Sequence, residues 1–176
     1  TAGPPLNLAR SYIGAAYADG YIYAIGGDTF DGASLIAQTT VERLDPINPT
    51  IWDDANITDL PIPCDEMPAF GFDSTAPYEL AGAIVTAGCG QWSSELPDSF
   101  LYDISANTWH ANFPDLNEVR RNHAGVFVPA GPGTGGNPGL WVFGGRQASD
   151  ATVLFTPEYY PLRVINMSVS FPPAFD

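Results

Sequence analysis

The 176-residue chain is 45% apolar and only 15% charged, which excludes an extended disordered polymer and leaves room for one packed domain. Twenty acidic residues face six basic ones, all of them Arg, and the resulting net charge of −14 excludes phosphate backbones and anionic lipid as partners. No apolar run approaches the ~18 residues that a membrane span needs, so no membrane insertion is expected, and 18 Gly with 17 Pro imply many turns between short strands, an all-β profile.

In chain order, Thr1–Leu8 carries Pro4 and Pro5 and reads as an extended lead-in. Tyr12–Ala18 is a small, apolar strand, and Asp19-Gly20 supplies the positive φ of a two-residue hairpin turn into a partner strand, Tyr21–Ile25. Gly26-Gly27 closes that strand where a side chain would obstruct a neighbouring backbone. A polar loop over Asp28–Gln38, a third strand over Thr39–Leu44, the Asp45-Pro46 turn and a fourth strand at Ile51-Trp52 complete the unit. The pattern recurs. A second unit runs from Met67 through Phe70-Gly71, Ala83–Cys89 and Ser99–Tyr102 to Trp109, and a third from Arg121 through Ala124–Val128, Leu140–Gly145 and Thr152–Tyr160. The third unit is degenerate or cut short: no Trp follows in the expected place, and Arg163–Phe171 offers only a β-like run before Pro172-Pro173.

A four-strand unit of about 50 residues, with Gly-Gly ending the second strand and Trp opening the fourth, resembles the kelch repeat of β-propellers. The first unit carries the resemblance in Arg10, Gly14, Asp19-Gly20, Gly26-Gly27, Glu42 and Trp52. The second keeps Gly71, Gly88, Tyr102-Asp103 and Trp109 but has Cys89 for the second glycine and Met67 for the arginine; the third keeps Arg121, Gly125, Gly144-Gly145 and Glu158. The fold expected is an all-β, incomplete propeller of about three four-stranded antiparallel blades, spanning roughly 9–60, 66–115 and 120–170.

The resemblance implies that the loops leaving the second and fourth strands share one face, where long loops on a rigid scaffold serve recognition. It aligns Arg10 with Arg121 at the channel mouth, where some relatives use arginine as a ligand contact; the competing reading pairs each with a carboxylate or carbonyl of an adjacent blade. Trp92, which has no marker role, and Arg146 join Arg10 and Arg121 as ligand-binding candidates, for a protein or glycan ligand of acidic or polyhydroxylated character in a locally basic spot. Trp52 and Trp109 sit at marker positions and read as packing.

Cys64 and Cys89 fall on one face of one blade and are expected to form a disulfide, against the alternative of two buried thiols. That pairing, the acidic lysine-free composition and the non-Met start suggest an extracellular or cell-surface protein, with the periplasm also possible. The Asn56-Ile57-Thr58 and Asn166-Met167-Ser168 sequons add little at this length.

His110 and His123 lack metal-ligand spacing, and the loop holding Asp28 and Asp31 lacks the ligand count of a calcium motif, so no metal and no cofactor are expected. Some kelch propellers are copper-radical oxidases built on a Cys-linked Tyr, two His and a second Tyr; no matching arrangement is found here. Glycan hydrolysis would need a carboxylate pair across a cleft. With no catalytic constellation, the reading is a non-enzymatic module for protein–protein interaction in an extracytoplasmic assembly; the alternative is part of a secreted carbohydrate-active or galactose-oxidase-like enzyme. Three blades do not close a ring, so further blades from another chain or a second copy are expected partners.

Overall fold

The computed structural model describes residues 2–90, 94–131, 137–147 and 152–165, and among these every regular element is a strand. β1 (Gly14–Ala18) and β2 (Tyr21–Ile25) pair antiparallel, and β5 (Val41–Leu44) adds to β2. The turn between the first two strands has φ of 45° at Asp19 and 85° at Gly20, the two positive values that a type I′ hairpin needs. β6 (Ala69–Gly71), β7 (Ala83–Thr86), β8 (Phe100–Asp103) and β9 (Thr108–His110) form a complete four-stranded meander. β10 (Ala124–Val128), β11 (Gly139–Phe143) and β12 (Glu158–Pro161) form the third sheet.

Three predicted features differ. The polar loop over Asp28–Gln38 holds a hairpin, β3 (Asp28–Phe30) against β4 (Leu35–Ala37), because Asp31-Gly32 turns the chain and Asp31 Oδ1 accepts the amides of Ala33 and Ser34. The fourth strand of the first unit shrinks to one bridge, Arg43 to Asp53. In the third unit, Thr152–Phe155 stays outside β12 and, among the described residues, pairs with the chain at the Arg146–Val153 bridge.

The sheets stack face to face in chain order, with one core cluster in each gap. Tyr23, Ile25 and Val41 meet Ile84, Phe100, Tyr102 and Trp109 in the first gap. Phe70, Val85 and Ala87 meet Leu140 and Val142 in the second. Alternate residues of β7 face opposite gaps, so all four are buried; β7 is the centre of the stack. Close approach requires glycine: a Cβ on Gly71 would strike the Tyr17 carbonyl of the neighbouring sheet.

A candidate binding site at the channel mouth

Strand register fixes which residues of the three units are equivalent. Each first strand is approached through a residue with φ of 53°, Tyr12, Glu66 and Asn122 in turn. Two positions earlier lie Arg10, Cys64 and Arg120, and between them Ser11, Asp65 and Arg121. The equivalent of Arg10 is therefore Arg120, not Arg121, and in the second unit it is Cys64, not Met67. Hydrogen bonding agrees. Arg10 ion-pairs with Glu42 on β5, both side chains fully buried, while the amides of Asn7 and Leu8 donate to the same carboxylate at 2.7 and 3.3 Å. Arg120 pairs with Glu158 on β12 at 2.8 Å, and Asn117 and Glu118 amides donate to that carboxylate at 2.6 and 3.1 Å. Burial pushes the Glu158 carboxyl up, but those amides and the Arg120 charge outweigh it and hold the group below the usual range.

The second unit solves the same problem covalently. Phe100 stands where Glu42 and Glu158 stand, and Cys64 bonds to Cys89, with Cα atoms 4.9 Å apart. The glycine pair has a role as well: Gly26 makes room for the Cys64 carbonyl, to which Gly27 N donates at 2.8 Å, tying the first sheet to the lead-in of the second.

A second internal series runs through the tryptophans. Trp52 Nε1 donates to the Pro4 carbonyl at 3.2 Å, and Trp109 Nε1 donates to the Thr58 carbonyl at 2.8 Å, each reaching the loop that precedes its own unit. Buried Arg, glycine pair and tethered Trp thus recur in register. Residues 9–50 match the kelch motif. The first unit is a kelch repeat. No curated protein matches the chain. The kelch match covers the first blade, and the second and third sheets share its strand order and registers.

The mouth of these blades gathers charge. Asp28, Asp65, Glu66 and Arg121 are all buried there. Ser11 Oγ donates to Asp28 Oδ1 at 2.5 Å, and Arg121 stands 3.5 Å from Glu66 and 2.9 Å from Glu95 at ion-pair distance. Asp28, Asp65, Glu66 and Glu95 gather around Arg121, and a backbone bridge holds Arg146 beside it. Burial, with Glu66, Asp28 and Glu95 nearby, pushes the Asp65 carboxyl up to about 7 despite Arg121. Burial also raises Glu66, with Arg121 opposing.

Of the candidate contacts, Arg10 is sealed behind Glu42, Arg121 is buried among carboxylates, and Arg146 is half-buried; Trp92 lies outside the described residues. Exposed at the mouth instead are Tyr12 and Asn122, which flank a hollow lined also by Glu66 and His123. Burial holds His123 down at about 4, so its neutral ring bonds the Ala87 carbonyl at 2.8 Å through Nε2 and acts as a tie between blades. His110 sits on β9, exposed and on another part of the surface.

The Asp65 carboxyl makes stability pH-dependent. Its folded pKa exceeds the unfolded value of 3.8, so the stabilisation from its bound proton is full below about pH 4 and is lost as pH rises through 7. Asp65→Asn is expected to raise stability by roughly 2 to 4 kcal/mol at pH 8 and to leave it unchanged near pH 4. Denaturant titrations of variant and wild type at both pH values check this, the difference between them cancelling the opposite slope of His123.

Proposed function

We propose that the chain is a non-enzymatic binding and assembly module acting in an extracellular or cell-surface setting. The observation that carries this reading is the β3–β4 hairpin, which rises from the mouth face with Phe30 66% and Leu35 and Ile36 each 44% exposed. Three large apolar side chains on a hairpin anchored to a rigid sheet favour a protein partner, and the surplus carboxylates below favour one that presents guanidinium, ammonium or hydroxyl donors. The Cys64–Cys89 disulfide points to an oxidising compartment, which supports the extracellular setting.

Assembly has separate support. The cross-strand row Val126, Trp141, Tyr159 on the third blade corresponds to Ala16, Tyr23, Arg43 and to Phe70, Val85, Leu101. Tyr23 and Val85 are buried by the next blade, whereas Val126 is 45% and Tyr159 38% exposed, so further blades from another chain or a second copy would have an apolar face to cover. The copper-radical alternative lacks its thiol, since both cysteines are in the disulfide. Asp65, the carboxyl best suited by its raised pKa to act as an acid in glycan hydrolysis, is buried.

The test replaces Phe30, Leu35 and Ile36 with Ser together and compares capture of partners from the protein's native extracellular fraction. A partner retained by wild type and lost by the triple variant, at an unchanged melting temperature, is the expected result. Equal capture by both proteins would sink the hairpin's role.

A further inference from the structure

The sequon Asn56-Ile57-Thr58 lies in the connection between the first and second blades and has no part in the binding reading; its fellow at Asn166-Met167-Ser168 lies outside the described residues. Asn56 and Thr58 are exposed, while Ile57 between them is buried in the first core cluster with Leu60. The buried isoleucine thus pins the turn and leaves its two neighbours on the surface. Asp53 Oδ1 accepts both the backbone N–H of Asn56 at 3.2 Å and its side-chain Nδ2 at 3.0 Å, which fixes where the amide sits. Thr58 is held at three atoms. Its N–H donates to Asn107 Oδ1 at 2.9 Å, its hydroxyl donates to the Asn107 carbonyl at 2.7 Å, and its carbonyl accepts the Trp109 indole N–H at 2.8 Å. All three bonds reach into the second blade, and further along the same connection Cys64 is bonded to Cys89.

We propose that Asn56 carries an N-linked glycan, attached before the first two blades lock together. The inference rests on the extracellular reading above and adds a covalent modification to it. In the transfer, the Asn56 side-chain nitrogen attacks the anomeric carbon of an oligosaccharide carried on a lipid pyrophosphate. The nitrogen–carbon bond forms as the carbon–oxygen bond breaks, the lipid pyrophosphate leaves, and one amide proton passes to a base of the transferase. The glycan replaces one of the two amide hydrogens, and the other suffices for the bond to Asp53, so the modified side chain fits the turn as it stands. A bulky, polar glycan also needs a solvated anchor, which the exposed Asn56 supplies. The order of events follows from Thr58, whose hydroxyl is the part of the sequon that a transferase reads. In the fold that hydroxyl is already bonded to Asn107, and the segment around it is tied to the second blade. The open chain presents the sequon and the closed one withholds it.

The first measurement is made on the protein recovered from its extracellular fraction. Digestion with a peptide-N-glycosidase in heavy-oxygen water is expected to convert Asn56 to isotope-labelled aspartate, with loss of the glycan's mass from the intact chain. Recovery of Asn56 only as the unmodified amide would overturn the proposal. In secreting cells, Asn56→Gln and Thr58→Ala should each lose the glycan at this site, whereas Thr58→Ser, which keeps the hydroxyl, retains it. A glycan still found on Asn56 in the Thr58→Ala protein would show that the sequon does not direct it. Timing is read by offering the bare full chain, either folded or reduced and unfolded, to an oligosaccharyltransferase with its lipid-linked donor. Transfer to the unfolded chain and loss of most of it on folding is the expected result; equal transfer to both would overturn the order of events. A cytoplasmic protein with bare Asn56 would fell the extracellular reading and this proposal together, and a secreted one with bare Asn56 would fell this proposal alone.

Discussion

Glu42→Ala is expected to lower the unfolding free energy by about 3 to 5 kcal/mol, because it strands the Arg10 guanidinium in the interior without its counter-charge. The other acceptors of Arg10 are the carbonyls of Leu8 and Ala24, which cannot neutralise it, and the Asn7 and Leu8 amides lose their acceptor at the same time. Replacing both partners by apolar residues, Arg10→Met with Glu42→Leu, should cost less than the single change, since no buried charge remains. Equilibrium unfolding in urea compares the three proteins. A single variant as stable as wild type would mean that the pair is not buried in solution.

Removal of the disulfide should be nearly as costly. Cys64 and Cys89 close a loop with a sequence separation of 25, for which chain entropy gives about 3.5 kcal/mol. The Cys64→Ala, Cys89→Ala protein should therefore unfold at lower denaturant than wild type, and wild type in reductant should behave like the variant. Identical midpoints with and without reductant would contradict the pairing. In the other two blades the position of Cys64 is filled by a buried arginine, so one structural site is met by charge twice and by a covalent bond once.

Much of this fold is legible in the chain because its markers are local. Asp19-Gly20 dictates its hairpin, and Gly26-Gly27 ends its strand at a point where the Cys64 backbone leaves no room for a side chain. The register of the arginines is less accessible: Arg120 and Arg121 are adjacent, and only the ladder from β11 to β12, which sets Glu158 opposite Val142, decides which of them matches Arg10. The β3–β4 hairpin was readable from Phe30 and from Leu35-Ile36 flanking Asp31-Gly32, a signal hidden by the polarity of the residues around it. The acidic mouth was not readable, because Asp28, Asp65, Glu66 and Glu95 come from three separate segments, one of them a strand, and only the stacking of blades brings them to one arginine.

The same stacking leaves the third blade with an uncovered row where its two predecessors have buried ones, so completion by further blades is the claim on which the functional account turns. Native mass measurement tests it most directly. The account predicts a stable species heavier than one 18.8 kDa chain, either a multiple of that mass or a complex with a second polypeptide. A lone 18.8 kDa chain that stays soluble and folded at tens of micromolar would contradict it.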